Sequence, residues 1–316
     1  MAKPDDSRLD PEGLRAVEKR ARRLLDRASA WDRFPTPIED ILAAADLQVA
    51  PTNLFDPGRI LAYIKTRSSG AARLIKSAIS KILGLYDSDE QVIHIDETVK
   101  DCKQNFLKLH ETGHHELPAH KKAFSLFQDC EKTLAPEIAD LFEREANNFA
   151  RFALFQGDTF ARLAADCAFE IKTPMKLAKK FGASVYASVR EFARTNPRAC
   201  MVYVLEPIEF VEGAGARAAV RRIEPSPSFI EQFGRPTDAE ITLDHPLGSI
   251  LPIHRRMTRP TSLSISDLNG ARHECVAEAF DTTFNILILL YPVRALTAST
   301  VLLPAGFRER LASDNR

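Results

Sequence analysis

In this chain of 316 residues, one stretch has residue types and spacing that define a chemistry: His110-Glu111-Thr112-Gly113-His114. It has the pattern H-E-x-x-H. If the stretch is helical, His110 and His114 lie one turn apart on the same face, and their imidazole nitrogens can bind one metal ion. Glu111 then projects about 100° away, beside the metal, where its carboxylate can accept a proton from water. The pattern therefore predicts one Zn²⁺ per chain and hydrolysis of amide bonds.

Catalytic zinc needs a third protein ligand and an open fourth position, and the sequence offers two candidates. His120 follows His114 by six residues, as in the metzincin pattern H-E-x-x-H-x-x-G-x-x-H. Leu117 occupies the position of the glycine that turns the chain in that pattern, so we expect His120 to lie in a loop. The stronger candidate is Glu143, on a downstream amphipathic helix. A carboxylate that enters an apolar interface is costly unless it is paired or binds a metal.

The same downstream helix carries two more polar residues close to Glu143. Asn147 lies one turn further on and can hold a ligand histidine in place through a hydrogen bond. Glu145 is expected to face solvent, although the third ligand can also be assigned to it. The buried face of this helix is predicted from apolar residues at spacings of three and four: Leu141, Phe142, Ala146, Phe149, Ala150 and Ala153.

Both motifs are part of a wider pattern, H-E-x-G-H followed about thirty residues later by E-x-x-A-N-x-F-A. This pattern resembles the ImmA/IrrE family of bacterial metallopeptidases, and the resemblance covers roughly residues 30–195. GLYDSDEQVIHID at 84–96 looks like the family's hairpin before the active-site helix, whereas Thr112 stands where the family usually has a bulky residue. The matching residues are His110, Glu111, Gly113 and His114 in the first motif and Glu143, Ala146, Asn147, Phe149 and Ala150 in the second.

The resemblance implies that Zn²⁺ is bound by His110, His114 and Glu143 and that Glu111 is the catalytic base. It implies a zinc-dependent endopeptidase that cleaves a partner helix-turn-helix transcriptional repressor after a stress such as DNA damage. Cleavage would derepress stress or defence genes, since members of the family also accompany antiphage operons. An alternative from a different class is a DNA-binding transcriptional regulator with a structural zinc site, in which Glu111 would be dispensable.

Cys102 lies eight residues before His110, in the segment that leads into the predicted metal helix. A thiolate is a good zinc ligand, so Cys102 can in principle fill the open position and keep the enzyme latent. The alternative is an ordinary half-buried cysteine that packs as a small apolar side chain.

A basic segment at 58–86 contains six basic residues and no acidic residue. Such a segment predicts either a contact surface for single-stranded DNA, which would then be an activator, or a solvated helix face. The second interpretation is simpler because only two tyrosines interrupt the segment, and stacking on bases needs aromatic side chains. The basic residues are Arg59, Lys65, Arg67, Arg73, Lys76 and Lys81.

The composition favours a cytoplasmic protein that does not enter membranes. Acidic and basic residues balance at 43 each, which excludes a global basic field for nucleic acid. The N-terminus does not resemble a signal peptide, and the apolar run at 284–293 is too short to span a bilayer and predicts a buried strand. Five scattered cysteines without a C-x-x-C pattern suit a reducing compartment.

The order of the predicted elements indicates an α+β protein with two domains. Residues 1–196 are predicted to form a zincin-like metallopeptidase domain with a helical subdomain at about 158–195. Its helix–glycine–helix pattern is expected to pack rather than to read DNA. From Pro197 onward, short strand-like runs alternate with turn residues. Residues 197–316 are therefore predicted to be a mixed α/β or β-rich sensory or regulatory domain, which the resemblance suggests is GAF-like.

Overall fold

A computed structural model describes residues 8–50, 84–87, 91–96, 98–121, 136–213 and 215–294. The chain divides into two compact units, Met1–Phe192 and Ala193–Arg316. The predicted α+β class is confirmed, because helices dominate the described part of the first unit and an antiparallel sheet dominates the second. Most of the basic segment, and with it the predicted contact with single-stranded DNA, lies outside the described residues.

The first helix is α1 (Pro11–Arg27), and its predicted N-cap at Asp10 is confirmed. The Asp10 carboxylate accepts hydrogen bonds from the backbone N–H groups of Glu12 and Gly13 at 3.0 and 2.9 Å, and Pro11 takes the first helical position. The described helices are α1 (Pro11–Arg27), α2 (Ile38–Ala44), α3 (Asp101–Glu116), α4 (Pro136–Leu154), α5 (Thr159–Ala165), α6 (Lys172–Phe181) and α7 (Val185–Thr195).

Helices α3 and α4 pack closely at a glycine. A Cβ atom added to Gly113 would lie 3.2 Å from both Ala146 Cα and Phe149 Cβ, closer than most Cβ contacts, so a side chain here would require the two helices to move slightly apart. The predicted apolar face of α4 is buried, with one exception: Leu141 is 37% exposed. At 100° per residue, Leu141 lies about 120° from the centre of the buried face, which agrees with its exposure.

A small sheet lies beside α3. Its strands are β1 (Gln48–Val49), β2 (Gly84–Asp87) and β3 (Val92–Ile95), in the order β1-β3-β2. β3 is parallel to β1 and antiparallel to β2, so β2 and β3 form the hairpin predicted at 84–96. The hydroxyl of Tyr86 in β2 lies 2.6 Å from Nδ1 of His115, which ties this strand to the end of α3.

Polar contacts connect the loops of the first unit to its helices. Buried Gln156, just after α4, accepts a hydrogen bond from the Asp32 backbone N–H at 2.7 Å and donates one to the Arg33 carbonyl at 2.8 Å. The predicted helix–glycine–helix is confirmed: Gly182 ends α6 with φ +70°, and its carbonyl accepts a hydrogen bond from Asn105 of α3 at 3.0 Å. The turn between α6 and α7 therefore packs against α3, as expected for a structural hairpin.

The second unit is built on an antiparallel sheet in the order β5-β6-β4-β10-β9-β8, with β7 paired to β6. The predicted buried strand at 284–293 is confirmed as β10, which lies between β4 and β9. Ser226 caps the short helix α8 (Pro227–Phe233). The strands are β4 (Met201–Leu205), β5 (Glu209–Val211), β6 (Gly215–Pro225), β7 (Glu240–Thr242), β8 (Thr261–Ser266), β9 (Arg272–Asp281) and β10 (Ile286–Pro292).

Among the described residues, no helix combines the length and the apolar character that crossing a membrane requires.

Candidate metal centre

Helix α3 carries the H-E-x-x-H motif near its C-terminal end, on the side that faces α4. His110 and His114 lie one turn apart, and their Nε2 atoms are 3.2 Å from each other. The imidazole of His114 is buried and that of His110 is nearly so. Two nitrogens of neighbouring rings therefore point at one position between α3 and α4.

Glu143 of α4 brings a carboxylate to the same position. Its Oε2 lies 3.3 Å from His110 Nε2, and its Oε1 lies 3.6 Å from His114 Nε2. Within the described part of the chain, these three residues are the one group of three or more potential ligands whose donor atoms converge, all within 4.8 Å of one another. The Glu143 side chain is 59% exposed, so it lies at the rim of the helix interface and not inside an apolar contact as expected.

The separations of these donor atoms suit a tetrahedral zinc ion. With zinc–nitrogen and zinc–oxygen distances near 2.0–2.1 Å, two ligands of a tetrahedral ion lie about 3.3 Å apart. The observed separations of 3.2, 3.3 and 3.6 Å bracket this value. Two imidazoles and one carboxylate also form a donor set that zinc accepts, and three protein ligands leave the fourth position open for chemistry.

The three side chains and Glu111 also shift one another's pKa values. Burial and, after it, the nearby charge of His110 together lower the pKa of His114 to about 3. Burial also acts to lower the pKa of His110, but the Glu143 carboxylate and the charge of Glu111 outweigh it, so that pKa is raised. Partial burial acts to raise the pKa of Glu143, but the hydrogen bond and charge of His110 lower it to about 2.

Glu111 is buried beside the two histidines. Its side chain is on α3, and the Tyr86 backbone N–H of β2 donates a hydrogen bond to its carboxylate. Burial raises the pKa of Glu111 to about 7, against the opposing influence of the His110 charge. A carboxyl group with a pKa near neutral can both accept and return a proton in the physiological range. The contact with Tyr86 is between backbone and side chain, and no sequence pattern indicated it.

Asn147 contacts His110 from behind the metal position. Its Oδ1 lies 3.2 Å from Nδ1 of His110, so the amide oxygen can accept a hydrogen bond from the ring nitrogen that does not face Glu143. The structure thus places Asn147 where the sequence analysis expected it.

Two further residues, His120 and Glu145, lie beside the site in positions that the sequence did not predict, although His120 is not a ligand, as expected. His120 is fully buried and helical, like its neighbours at 118–121, and its ring stacks on that of Phe142 with the ring centroids 4.0 Å apart. Its Nδ1 lies 3.1 Å from Nδ1 of His114, and its Nε2 lies 2.7 Å from Oε2 of Glu145. His120 therefore stands behind His114 and is not the third ligand of a metzincin site. Glu145 is only 21% exposed and does not face solvent.

The structure does not bring Cys102 to the metal group. Cys102 lies in the first turn of α3, and eight residues of α-helix separate it from His110 by about 12 Å. Its side chain is half-buried, as in the alternative interpretation, and it is not part of the converging group. Thr112 is buried, and its hydroxyl donates a hydrogen bond to the Lys108 carbonyl at 2.7 Å within its own helix.

Comparisons with known proteins assign no family to this chain. No protein-family model matches it, and no curated protein matches it. Among solved structures, it is similar to a Mycobacterium tuberculosis transcriptional regulator, with 12% sequence identity, a TM-score of 0.48, and coverage of 87% of this chain and 75% of that chain. A likeness at this level assigns no activity, and the function is therefore inferred from the residues of the site.

Proposed function

We propose that this chain is a zinc-dependent endopeptidase with a zincin-like catalytic domain, of the kind that the resemblance to the ImmA/IrrE family implies. The observation that carries the proposal is the convergence of His110, His114 and Glu143 at separations that suit tetrahedral zinc, with Glu111 buried beside them. A structural zinc site is normally closed by four protein ligands, whereas a catalytic site has three. The described residues supply three.

The roles of the residues follow from their positions. Zn²⁺ bound to this group would supply a Lewis acid that polarises the substrate carbonyl and makes a nearby water molecule more acidic. Glu111 accepts the proton of the attacking water and then returns it to the nitrogen of the leaving amine. The Tyr86 N–H holds the Glu111 carboxylate in place during both transfers.

The proposed substrate is a partner helix-turn-helix transcriptional repressor, cleaved in the cytoplasm after a stress such as DNA damage. This part of the proposal comes from the resemblance. The resemblance also suggests that the second unit has a sensory role and a GAF-like fold. Candidate substrates are helix-turn-helix proteins encoded in neighbouring genes, and cleavage would derepress stress or antiphage defence genes.

Replacing Glu111 by Gln tests the proposal, because glutamine keeps the size of the side chain but cannot accept the proton. We expect cleavage of a co-expressed repressor to fall by about 10²–10⁴-fold, while zinc content stays near one per chain. Mass spectrometry of the repressor fragments and metal analysis of the purified chain measure the two quantities. A wild-type chain that binds no zinc, or that leaves every such repressor intact, would contradict the proposal.

The alternative function, a DNA-binding regulator with a structural zinc site, makes the opposite prediction. Glu111 is not a ligand in that case, so Glu111→Gln would leave DNA binding and regulation intact. Binding through phosphate contacts would also weaken steeply with salt.

A further inference from the structure

A row of hydrogen bonds leads from His114 away from the metal position. His114 Nδ1 lies 3.1 Å from His120 Nδ1, and His120 Nε2 lies 2.7 Å from Glu145 Oε2. His120 is fully buried and stacks on Phe142, whereas Glu145 is at the half-buried end of the row.

The chemistry of the three groups sets the direction of each hydrogen bond. An ionised carboxylate only accepts hydrogen bonds, so the hydrogen of His120 lies on Nε2 and points to Glu145. His120 Nδ1 then has a lone pair, and it accepts the Nδ1–H of His114. The Nε2 of His114 is left with its lone pair directed at His110 and Glu143.

Asn147 favours the same tautomer in His110, through a single hydrogen bond. Its Oδ1 accepts the Nδ1–H of His110 at 3.2 Å, which leaves the His110 Nε2 lone pair for the metal. Positions 143, 145 and 147 of α4 thus serve the site together: one supplies a ligand, and the other two fix the ligand histidines of α3.

We propose that His120 and Glu145 are positioning residues that hold His114 in the tautomer required to bind zinc. The inference rests on the proposed metal site and extends it to two residues that do not touch the metal. Outer partners of ligand histidines typically change metal affinity by about 10–100-fold when they are removed.

Four substitutions in the full-length chain separate this role from simple packing. His120→Phe keeps the stacked ring on Phe142 but has no acceptor, so we expect zinc affinity to fall by about 10–100-fold. His120→Asn restores an oxygen acceptor near the position of Nδ1 and should recover most of that loss. Glu145→Ala should weaken zinc binding in the same direction, whereas Glu145→Gln, which keeps an acceptor, should stay close to wild type. Competition with a chromophoric zinc chelator measures each affinity.

A second readout reports the tautomer itself. In the zinc-loaded chain, nitrogen NMR should show the His114 ring with its hydrogen on Nδ1, and this signature should be lost or broadened in His120→Phe. His273→Phe is a matched control, since it removes an imidazole that lies 2.9 Å from a carboxylate oxygen of Asp267 in the second unit. Its zinc affinity and the His114 signature should equal those of the wild type.

The outcomes distinguish the inference from the proposed function. Wild-type zinc affinity in folded His120→Phe and Glu145→Ala would overturn the positioning role alone, because the site would still bind zinc. Failure of the wild-type chain to bind zinc would overturn both. If His120→Phe does not fold, Glu145→Ala decides the question, since that side chain is at the half-buried end of the row.

Discussion

His110, His114 and Glu143 differ in how much the protein surrounds each donor atom. The two imidazoles are nearly buried, whereas the Glu143 side chain is 59% exposed at the rim of the α3–α4 interface. Removing a histidine therefore leaves a cavity as well as an incomplete site, and both effects reach the fold. Removing the Glu143 carboxylate changes the metal site with little effect on the core.

Glu143→Ala is expected to lose zinc while keeping its stability. The chain should retain well below one zinc per molecule after dialysis. In the absence of zinc, its free energy of unfolding in urea should fall by no more than about 1 kcal/mol, because Glu143 loses only an ion pair with His110 at the exposed rim. Glu137→Ala is the matched control, because Glu137 is an exposed carboxylate in the first turn of the same helix. One zinc per chain in Glu143→Ala would show that the third ligand is a different residue.

Helical periodicity explains which site residues the sequence can reveal. A spacing of four places His110 with His114, and Glu143 with Asn147, on single faces, and these positions were predictable. Glu145 lies about 80° from the centre of the buried face of α4, on the side away from Glu143 and Asn147. Periodicity alone does not distinguish a solvated flank from one that meets another segment.

The distances of His120 and Cys102 from the site depend on the path of the chain in space. The role of His120 follows from the path of the chain after α3, which brings this residue behind His114 and against Phe142. Cys102 is close to the site in sequence, and only the less simple of its two interpretations made it a zinc ligand. A continuous helix turns eight residues of sequence into a separation of about 12 Å.

At the scale of elements, the contact between α3 and α4 is made at Gly113. A glycine within a helix costs about 1 kcal/mol relative to alanine. At this position, a Cβ atom would meet Ala146 Cα and Phe149 Cβ at 3.2 Å, and neither of these atoms can rotate away. Overpacking of this kind costs about 1–3 kcal/mol, so the contact outweighs the gain in helix propensity.

Gly113→Ala is therefore expected to lower the free energy of unfolding by about 1 kcal/mol net. Gly13→Ala in α1 is the matched control: its added Cβ would meet only the carboxylate end of Asp10, at 3.3 Å. That substitution should be neutral or stabilising. Urea unfolding of both variants measures the difference, and equal stabilisation by the two substitutions would contradict the close contact.

Elements with local signals were predictable, and the pairing of strands was not. Three local sequence signals each predict one element: the helix cap at Asp10, the glycine turn at 182 and the apolar run of β10. The position of β10 between β4 and β9 depends on contacts such as Leu287 with Val204, which are far apart in sequence. Alternating apolar residues specify the face of a strand but leave its neighbours open.

At the scale of the whole molecule, every residue of the candidate metal centre lies in the first unit. The second unit has its own buried cluster, in which Phe229 is almost completely enclosed. Each unit is therefore stabilised by its own buried residues. In the first unit they lie on α3, α4 and their neighbours, and in the second on the sheet and α8.

Phe229→Ala is expected to destabilise the second unit by about 3–5 kcal/mol, through lost burial and the cavity that remains. Because His110, His114 and Glu143 all lie in the first unit, zinc affinity measured below the unfolding transition should equal that of the wild type. Thermal unfolding and chelator competition on the same sample measure both quantities. A parallel loss of zinc affinity would mean that the metal site depends on the second unit.

The close contact at Gly113 also has a consequence for motion. When two helices sway against each other, their relative displacement is smallest where the backbones touch and grows toward their ends. His114 is next to Gly113, and Glu143 is one turn before Ala146, so the donor atoms lie beside this pivot. Thermal motion can thus bend the distant ends of α3 and α4 while the distances between the donor atoms stay nearly constant.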